Sequence, residues 1–359
     1  MTHRRFGRRT GARDLALGLT VAGILAILAT VGLTSVASAR SHDLKKVSVR
    51  MDFIIRGYHS GFYVALDKGW YKDAGLDVSI AEGTGSGATA LSVAAGNDTF
   101  GLVDATAMIA ANIQGAGLKM IANMRARNGA AIMVRKDSGI NSPADLAGHT
   151  LAITPPGTFF YNIWPIYAAA AGIDVSKVRL VPLSNFVFLT NFIANKVDAM
   201  IGLIDGEGSQ LQLAHIPARF FPFLDKGIDT ISHGLVVKAS TIAADPDMVK
   251  NFVAATLRGW HYMLDNPFQA IGILQKYYPN INAIQYVARI KALKHVITTP
   301  NNAGHPLGWM SARDWGRTTF LLSKYGGLKD IPGGLNNLYT NQFVPPCKSK
   351  VKPKNTYCT

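Results

Sequence analysis

The sequence predicts an α/β chain arranged as two lobes, and three observations carry that prediction. Gly101-Leu102-Val103-Asp104-Ala105 and Gly202-Leu203-Ile204-Asp205-Gly206 are near-copies of one string, 101 residues apart. Each follows a helix-like run and an acidic turn (Asn97-Asp98, then Lys196-Val197-Asp198), and each stops abruptly at Asp among small residues. Such a run is a buried parallel strand ending at the carboxyl edge of a sheet, where open α/β sheets bind ligands. Strand-like and helix-like segments also alternate along the chain, as βα units do. Two such edges, one per half, predict two lobes facing one cleft.

In order, Lys46 to Ile55 alternates and reads as a first strand. Tyr58 to Gly75 reads as a helix, with Phe62, Tyr63, Leu66, Trp70 and Tyr71 at three- and four-residue spacing and Gly75 as its stop. Leu76 to Ala81 is a second strand, followed by the loop Glu82-Gly83-Thr84-Gly85-Ser86-Gly87 and a small-residue helix to Ala95. Phe100 to Val103 is strand three and Ala105 to Ile113 its helix; Met120 to Met124 and Ala130 to Val134 are further strands. Ser142-Pro143-Ala144-Asp145-Leu146 carries a helix-start signature, with Ser as cap and Pro in the first position. Leu151 to Thr154, Val178 to Pro182, Ala199 to Ile204, Phe220 to Phe223 and His233 to Lys238 follow as strands. Helices are expected over Phe159 to Ala171, Phe186 to Asn195, and Pro246 to Asp265, where Asn266-Pro267 breaks the last. Gly333 to Phe343 reads as loop.

Composition narrows the function. The 359 residues allow two domains, and 48% hydrophobic content allows an ordinary core. The formal charge is +15, but no basic stripe with interleaved aromatics supports nucleic-acid binding. No Gly-x-x-x-x-Gly-Lys-Ser/Thr loop supports nucleotide hydrolysis. The nine His show no pair three or four residues apart, so neither a metal nor another cofactor is expected.

Residues 1–39 read as a signal peptide: five Arg up to Arg13, an uncharged run from Leu15, and Ala37-Ser38-Ala39 as a cleavage site. An uncleaved anchor is the alternative, since that run is long enough to span a bilayer. Cys347 and Cys358 lie in a basic tail over 345–359, and export makes a disulfide between them the expected state.

Several segments together resemble a known family. They are Tyr58-His59-Ser60-Gly61-Phe62-Tyr63-Val64-Ala65, Lys68-Gly69-Trp70-Tyr71, Gly75-Leu76-Asp77-Val78, Ala94-Ala95-Gly96-Asn97-Asp98 before Phe100-Gly101, Gly139 to Gly148, and Tyr339-Thr340-Asn341. In order and spacing they resemble the NMT1/THI5-like and sulfonate/nitrate-binding class of periplasmic substrate-binding proteins, which serve ABC importers. The resemblance implies a two-lobe periplasmic binding protein fold of type II, with a mainly parallel sheet flanked by helices in each lobe and two hinge crossings near Val134 and His233. It places lobe 1 over 40–134 and 234–344 and lobe 2 over 135–233. It implies a monomeric, non-enzymatic receptor that passes a small-molecule solute to an inner-membrane ABC permease.

Candidate ligand-binding residues follow from the strand ends and from the resemblance. Phe53 stands where pyrimidine-binding relatives carry a stacking aromatic, with Asp52 beside it as an acceptor. Tyr58-His59 also resembles those relatives. Thr84, Gly85 and Ser86 offer hydroxyls and turned N–H groups. Asp104 and Thr106 close strand three, where Asp104 is equally suited to cap the next helix. From the other lobe come Gly157, Thr158 and Phe159, then Ser184, Asn185, Asp205 and Glu207. The expected solute is a pyrimidine-like aromatic heterocycle; sulfonate, nitrate, bicarbonate or an aromatic carboxylate are the alternatives. Catalytic relatives that make the thiamin pyrimidine carry Lys and His at the positions of Val103 and Ala107, and a cysteine cluster where this chain has Ile231-Ser232-His233-Gly234-Leu235.

Overall fold

The computed structural model describes residues 43–156, 158–184, 187–326 and 333–347. The expected signal peptide, Gly157, Asn185, Cys358 and the tail after Cys347 lie outside the described residues. Cys347 itself is disulfide-bonded.

Two five-stranded sheets organise the chain. The first contains β1 (Lys45–Arg50), β2 (Leu76–Ala81), β3 (Phe100–Asp104), β4 (Leu118–Asn123) and β10 (His233–Lys238), in the order β2-β1-β3-β10-β4. The second contains β5 (Ala130–Arg135), β6 (Thr150–Ile153), β7 (Arg179–Pro182), β8 (Ala199–Leu203) and β9 (Ala218–Pro222), in the order β7-β6-β8-β5-β9. The two orders are the same pattern. β3 and β8, the strands of the repeated strings, occupy the middle of their sheets and pair parallel to β1 and β6. One strand in each sheet runs against the rest: β10 is antiparallel to β3 and β4, and β5 to β8 and β9.

Those two antiparallel strands are the ones that follow a change of sheet. The chain leaves the first sheet after Asn123 and enters the second at Ala130, then leaves it at Pro222 and returns at His233. The first crossing therefore falls before Val134, which sits inside β5 and pairs with Ala199 and Arg219.

The helices are α1 (Ser60–Asp67), α2 (Trp70–Asp73), α3 (Ser86–Ala95), α4 (Ala105–Ile113), α5 (Phe159–Ala171), α6 (Phe188–Ile193), α7 (Ser209–Leu213), α8 (Ala239–Ala244), α9 (Pro246–Asp265), α10 (Pro267–Tyr277), α11 (Ala283–Ala292) and α12 (Ala312–Gly326). The single helix expected over Tyr58 to Gly75 is a 3₁₀ turn (Gly57–His59) and two helices, because Gly69 takes a left-handed φ of 72°. α9 begins as its sequence says: Pro246 opens it and the Asp245 side chain accepts the Met248 N–H at 2.9 Å.

Packing seats the helices on both sheets. One core gathers β1, α1, α9 and the apolar side of α11 around Phe62, Phe100, Phe252 and Trp260. A second runs between the lobes: Val103, Met108 and Val236 of the first share it with Ile132, Phe160, Trp164 and Ile201 of the second. α12 joins that shared core through Trp315 and lies against α5, so the C-terminal segment touches both lobes. Among the described residues, no helix is long and apolar enough to cross a membrane.

Candidate ligand-binding site

A cleft of about 610 Å³, counted out to open solvent, lies between the lobes. The loop after β1 lines it with Asp52, Phe53, Arg56 and Tyr58, and the start of α3 with Gly85 and Ser86. The second lobe contributes Thr154, Thr158, Phe159 and Phe160 around the start of α5, and Leu203 and Glu207 after β8. His233 at the return crossing and Arg289 of α11 complete the lining. The lobes approach each other closely here: a Cβ added to Gly85 would lie 3.6 Å from the Thr158 methyl. Two helix N-termini, of α3 and α5, open at this cleft from opposite lobes, where their first N–H groups lack intrahelical partners.

Asp52 anchors the first-lobe side. Its Oδ2 accepts the Tyr58 hydroxyl and its Oδ1 accepts His59 Nε2, both at 2.8 Å. His233 Nε2 lies 3.3 Å from Oδ2. The Arg56 backbone N–H donates to His59 Nδ1 at 2.9 Å, so Nε2 is the nitrogen that carries the proton to Asp52. Burial pushes the Asp52 carboxyl up, but the charge and hydrogen bond of His233, followed by those of His59, together hold it well below its usual range. Burial pushes His59 down despite Asp52. Burial, then the Asp52 charge, push the Tyr58 hydroxyl up.

The second-lobe side is an irregular turn over Ile204–Gly208. Glu207 folds back so that Oε2 accepts the Leu203 N–H at 2.9 Å, while Oε1 lies 3.3 Å from Arg289 Nη2. Thr154 and Thr158 bring their hydroxyls within 2.5 Å of each other, and Thr158 donates to the Pro155 carbonyl at 2.7 Å.

The expected residues divide into those at the cleft and those elsewhere. Asp52, Phe53, Tyr58, Gly85, Ser86, Thr158, Phe159 and Glu207 line it. His59 lies fully buried behind Asp52. Asp104 caps α4: its Oδ1 accepts the Thr106 N–H at 2.8 Å and the Thr106 hydroxyl at 2.5 Å. Burial pushes that carboxyl up. Thr106 is therefore occupied with Asp104. Asp205 is held in a buried fork by Arg125, at 2.7 and 2.9 Å. Thr84 and Ser184 are exposed and do not line the cleft. Gly157 and Asn185 are outside the described residues.

Six lining residues were not among the candidates: Arg56, Thr154, Phe160, Leu203, His233 and Arg289. Thr154 and Phe160 flank the strand-to-helix loop that pointed to Thr158, so their signal was present. Arg289 had none, because it arrives from a helix 82 residues beyond Glu207.

The comparisons with known proteins agree with this architecture. The NMT1/THI5 like family model matches residues 56–270. The riboflavin-binding protein RibY of Chloroflexus aurantiacus is 25% identical over 309 residues, covering 84% of this chain and 87% of the relative. The formylaminopyrimidine-binding protein of Halalkalibacterium halodurans is 24% identical, covering 81% and 89%. The 4-amino-5-hydroxymethyl-2-methylpyrimidine phosphate synthase of Legionella pneumophila is 26% identical, covering 88% and 98%. In structure, the periplasmic aliphatic sulphonate binding protein SsuA of Escherichia coli superposes with a TM-score of 0.65 at 16% identity, covering 83% of this chain and 99% of that one. The fold is thus that of the periplasmic binding proteins. With a model match spanning more than half of its length, the chain belongs to the NMT1/THI5-like family.

Proposed function

We propose that this chain is an exported receptor of an ABC importer, and that it holds a flat, pyrimidine-like heterocycle between its lobes without transforming it. The observation that carries the reading is the pairing of aromatics across one cleft: Phe53 and Tyr58 from the first lobe, Phe159 and Phe160 from the second. A ring seated among them gains about 0.5–1.5 kcal/mol per stacked pair beyond its buried area. Asp52 and Glu207 supply acceptors for ring N–H or amino groups, and the α3 start supplies donors. Two relatives named for binding riboflavin and formylaminopyrimidine support the ring class.

A synthase reading draws on the Legionella relative. Against it, Val103 is a buried β3 residue and Ala107 a buried α4 residue, so neither position offers a nucleophile. An anion reading, for sulfonate or nitrate, draws on Arg56 and Arg289 at the cleft.

A thermal-shift screen of the chain without residues 1–39 separates these readings. A ligand at 100 times its Kd stabilises by about 2.7 kcal/mol. Pyrimidines or flavins should raise Tm. A melt raised by alkanesulfonates or nitrate alone would overturn the heterocycle.

A further inference from the structure

We propose that the solute carries an ionised oxygen substituent, such as a carboxylate, on its ring, and that Arg56 and Arg289 grip that group. This rests on the heterocycle reading and narrows its ligand class. The carboxylates at the cleft are partly satisfied by protein donors. Asp52 takes Tyr58 and His59 at 2.8 Å and lies 3.3 Å from His233. Glu207 takes the Leu203 N–H with one oxygen.

The guanidinium groups are less well served. Arg56, half-buried, makes no ion pair among the described residues; its Cζ lies 5.6 Å from the Phe53 ring centre. A guanidinium over a ring keeps its in-plane N–H groups free for an oxyanion. Arg289 is 6% exposed, meets Glu207 through one 3.3 Å contact, and its Nε has no partner. A buried donor without a partner is uncommon and asks for a reason.

Local packing joins the two elements that carry these arginines. The Tyr286 hydroxyl donates to the Ile55 carbonyl at 2.9 Å, which seats α11 on the loop carrying Arg56. Gly57 fits only because it lacks a side chain, its Cβ position being 2.7 Å from the Tyr286 carbonyl oxygen. Arg289 stands about one helical turn beyond Tyr286 on the same helix. A guanidinium's planar fork of donors suits a carboxylate.

Titration calorimetry on matched pairs, orotate with uracil and nicotinate with nicotinamide, tests the assignment. In the unaltered chain the acid of at least one pair should bind about tenfold or more tightly than its neutral partner. Arg56→Gln should reduce that preference to about threefold or less. Arg289→Lys, which keeps the charge and loses the fork, should also reduce it. Rings that bind with no preference for the acid would overturn this inference and leave the heterocycle reading standing. So would a preference that survives both substitutions. If no ring binds and ring-free sulfonates do, or if no probe binds, both fall.

Discussion

Outside the cleft lining, Asp205 and Arg125 form a deeply buried charge pair, with side chains 6% and 1% exposed. Arg125 sits in the first crossing, its N–H donates to the His233 carbonyl at 2.9 Å, and its guanidinium lies 5.5 Å from the Tyr58 ring centre. One residue thus ties the turn after β8 to both crossings and to Tyr58, whose hydroxyl donates to Asp52. Asp205→Asn leaves that guanidinium uncompensated and should cost about 3–5 kcal/mol in chemical denaturation. A loss below 1 kcal/mol would mean that water reaches the pair. His59 makes a pH prediction. Its folded pKa lies below the unfolded value near 6.5, so between those values the unfolded chain binds the extra proton. Stability should fall as pH drops below about 6.5. His59→Gln should flatten that limb, with Asp52, Arg56 and His233 as the remaining charged or titratable neighbours. An unchanged limb would place its origin elsewhere. Asp205 was legible as the polar end of a buried strand, because local pattern marks such ends. Its partner was not, since Arg125 lies 80 residues earlier and nothing local couples them.

Secondary-structure elements record the same division between local and distant causes. α9 was legible to its ends, because Pro246 and Asn266-Pro267 act through neighbouring backbone. The reason for its two close-packed glycine positions lies in another helix. A Cβ on Gly259 would lie 2.1 Å from the Gly61 carbonyl oxygen, and one on Gly61 would lie 2.5 Å from Trp260. α1 and α9 therefore cross with their backbones nearly touching, and that crossing supports the loop that carries Asp52 and Tyr58. Gly259→Ala should destabilise by about 1–3 kcal/mol through overpacking, despite the higher helix propensity of Ala. A raised Tm would show that the helices separate at little cost. The strand-to-helix edges at Gly85-Ser86 and Thr158-Phe159 were legible for the same local reason as α9. Where the two edges meet depends on the crossings, which only the assembled sheets define.

At the scale of the molecule, the repeated sheet order explains the cleft. β3 ends at Asp104 and β8 at Leu203, two residues before Asp205, and the residues around those ends, Ser86 and His233 on one side and Leu203 and Glu207 on the other, line one space. An apolar core continuous from Val103 to Trp164 joins the lobes behind it. The pair of matching strings made the two-lobe plan legible from the sequence, because each marks a sheet edge. The cations from Arg56 and Arg289 were not legible as site residues, since one sits in an irregular loop and the other comes from the C-terminal segment.

Native mass spectrometry of the purified chain, with release and identification of whatever it carries after incubation with pyrimidines and flavins, tests the central claim most directly. The expected result is one small ring compound per chain, recovered with its mass unchanged, and its retention lost in Phe53→Ala and Phe159→Ala. A compound recovered chemically altered, or one retained equally by both variants, would contradict a receptor that grips its solute in this cleft.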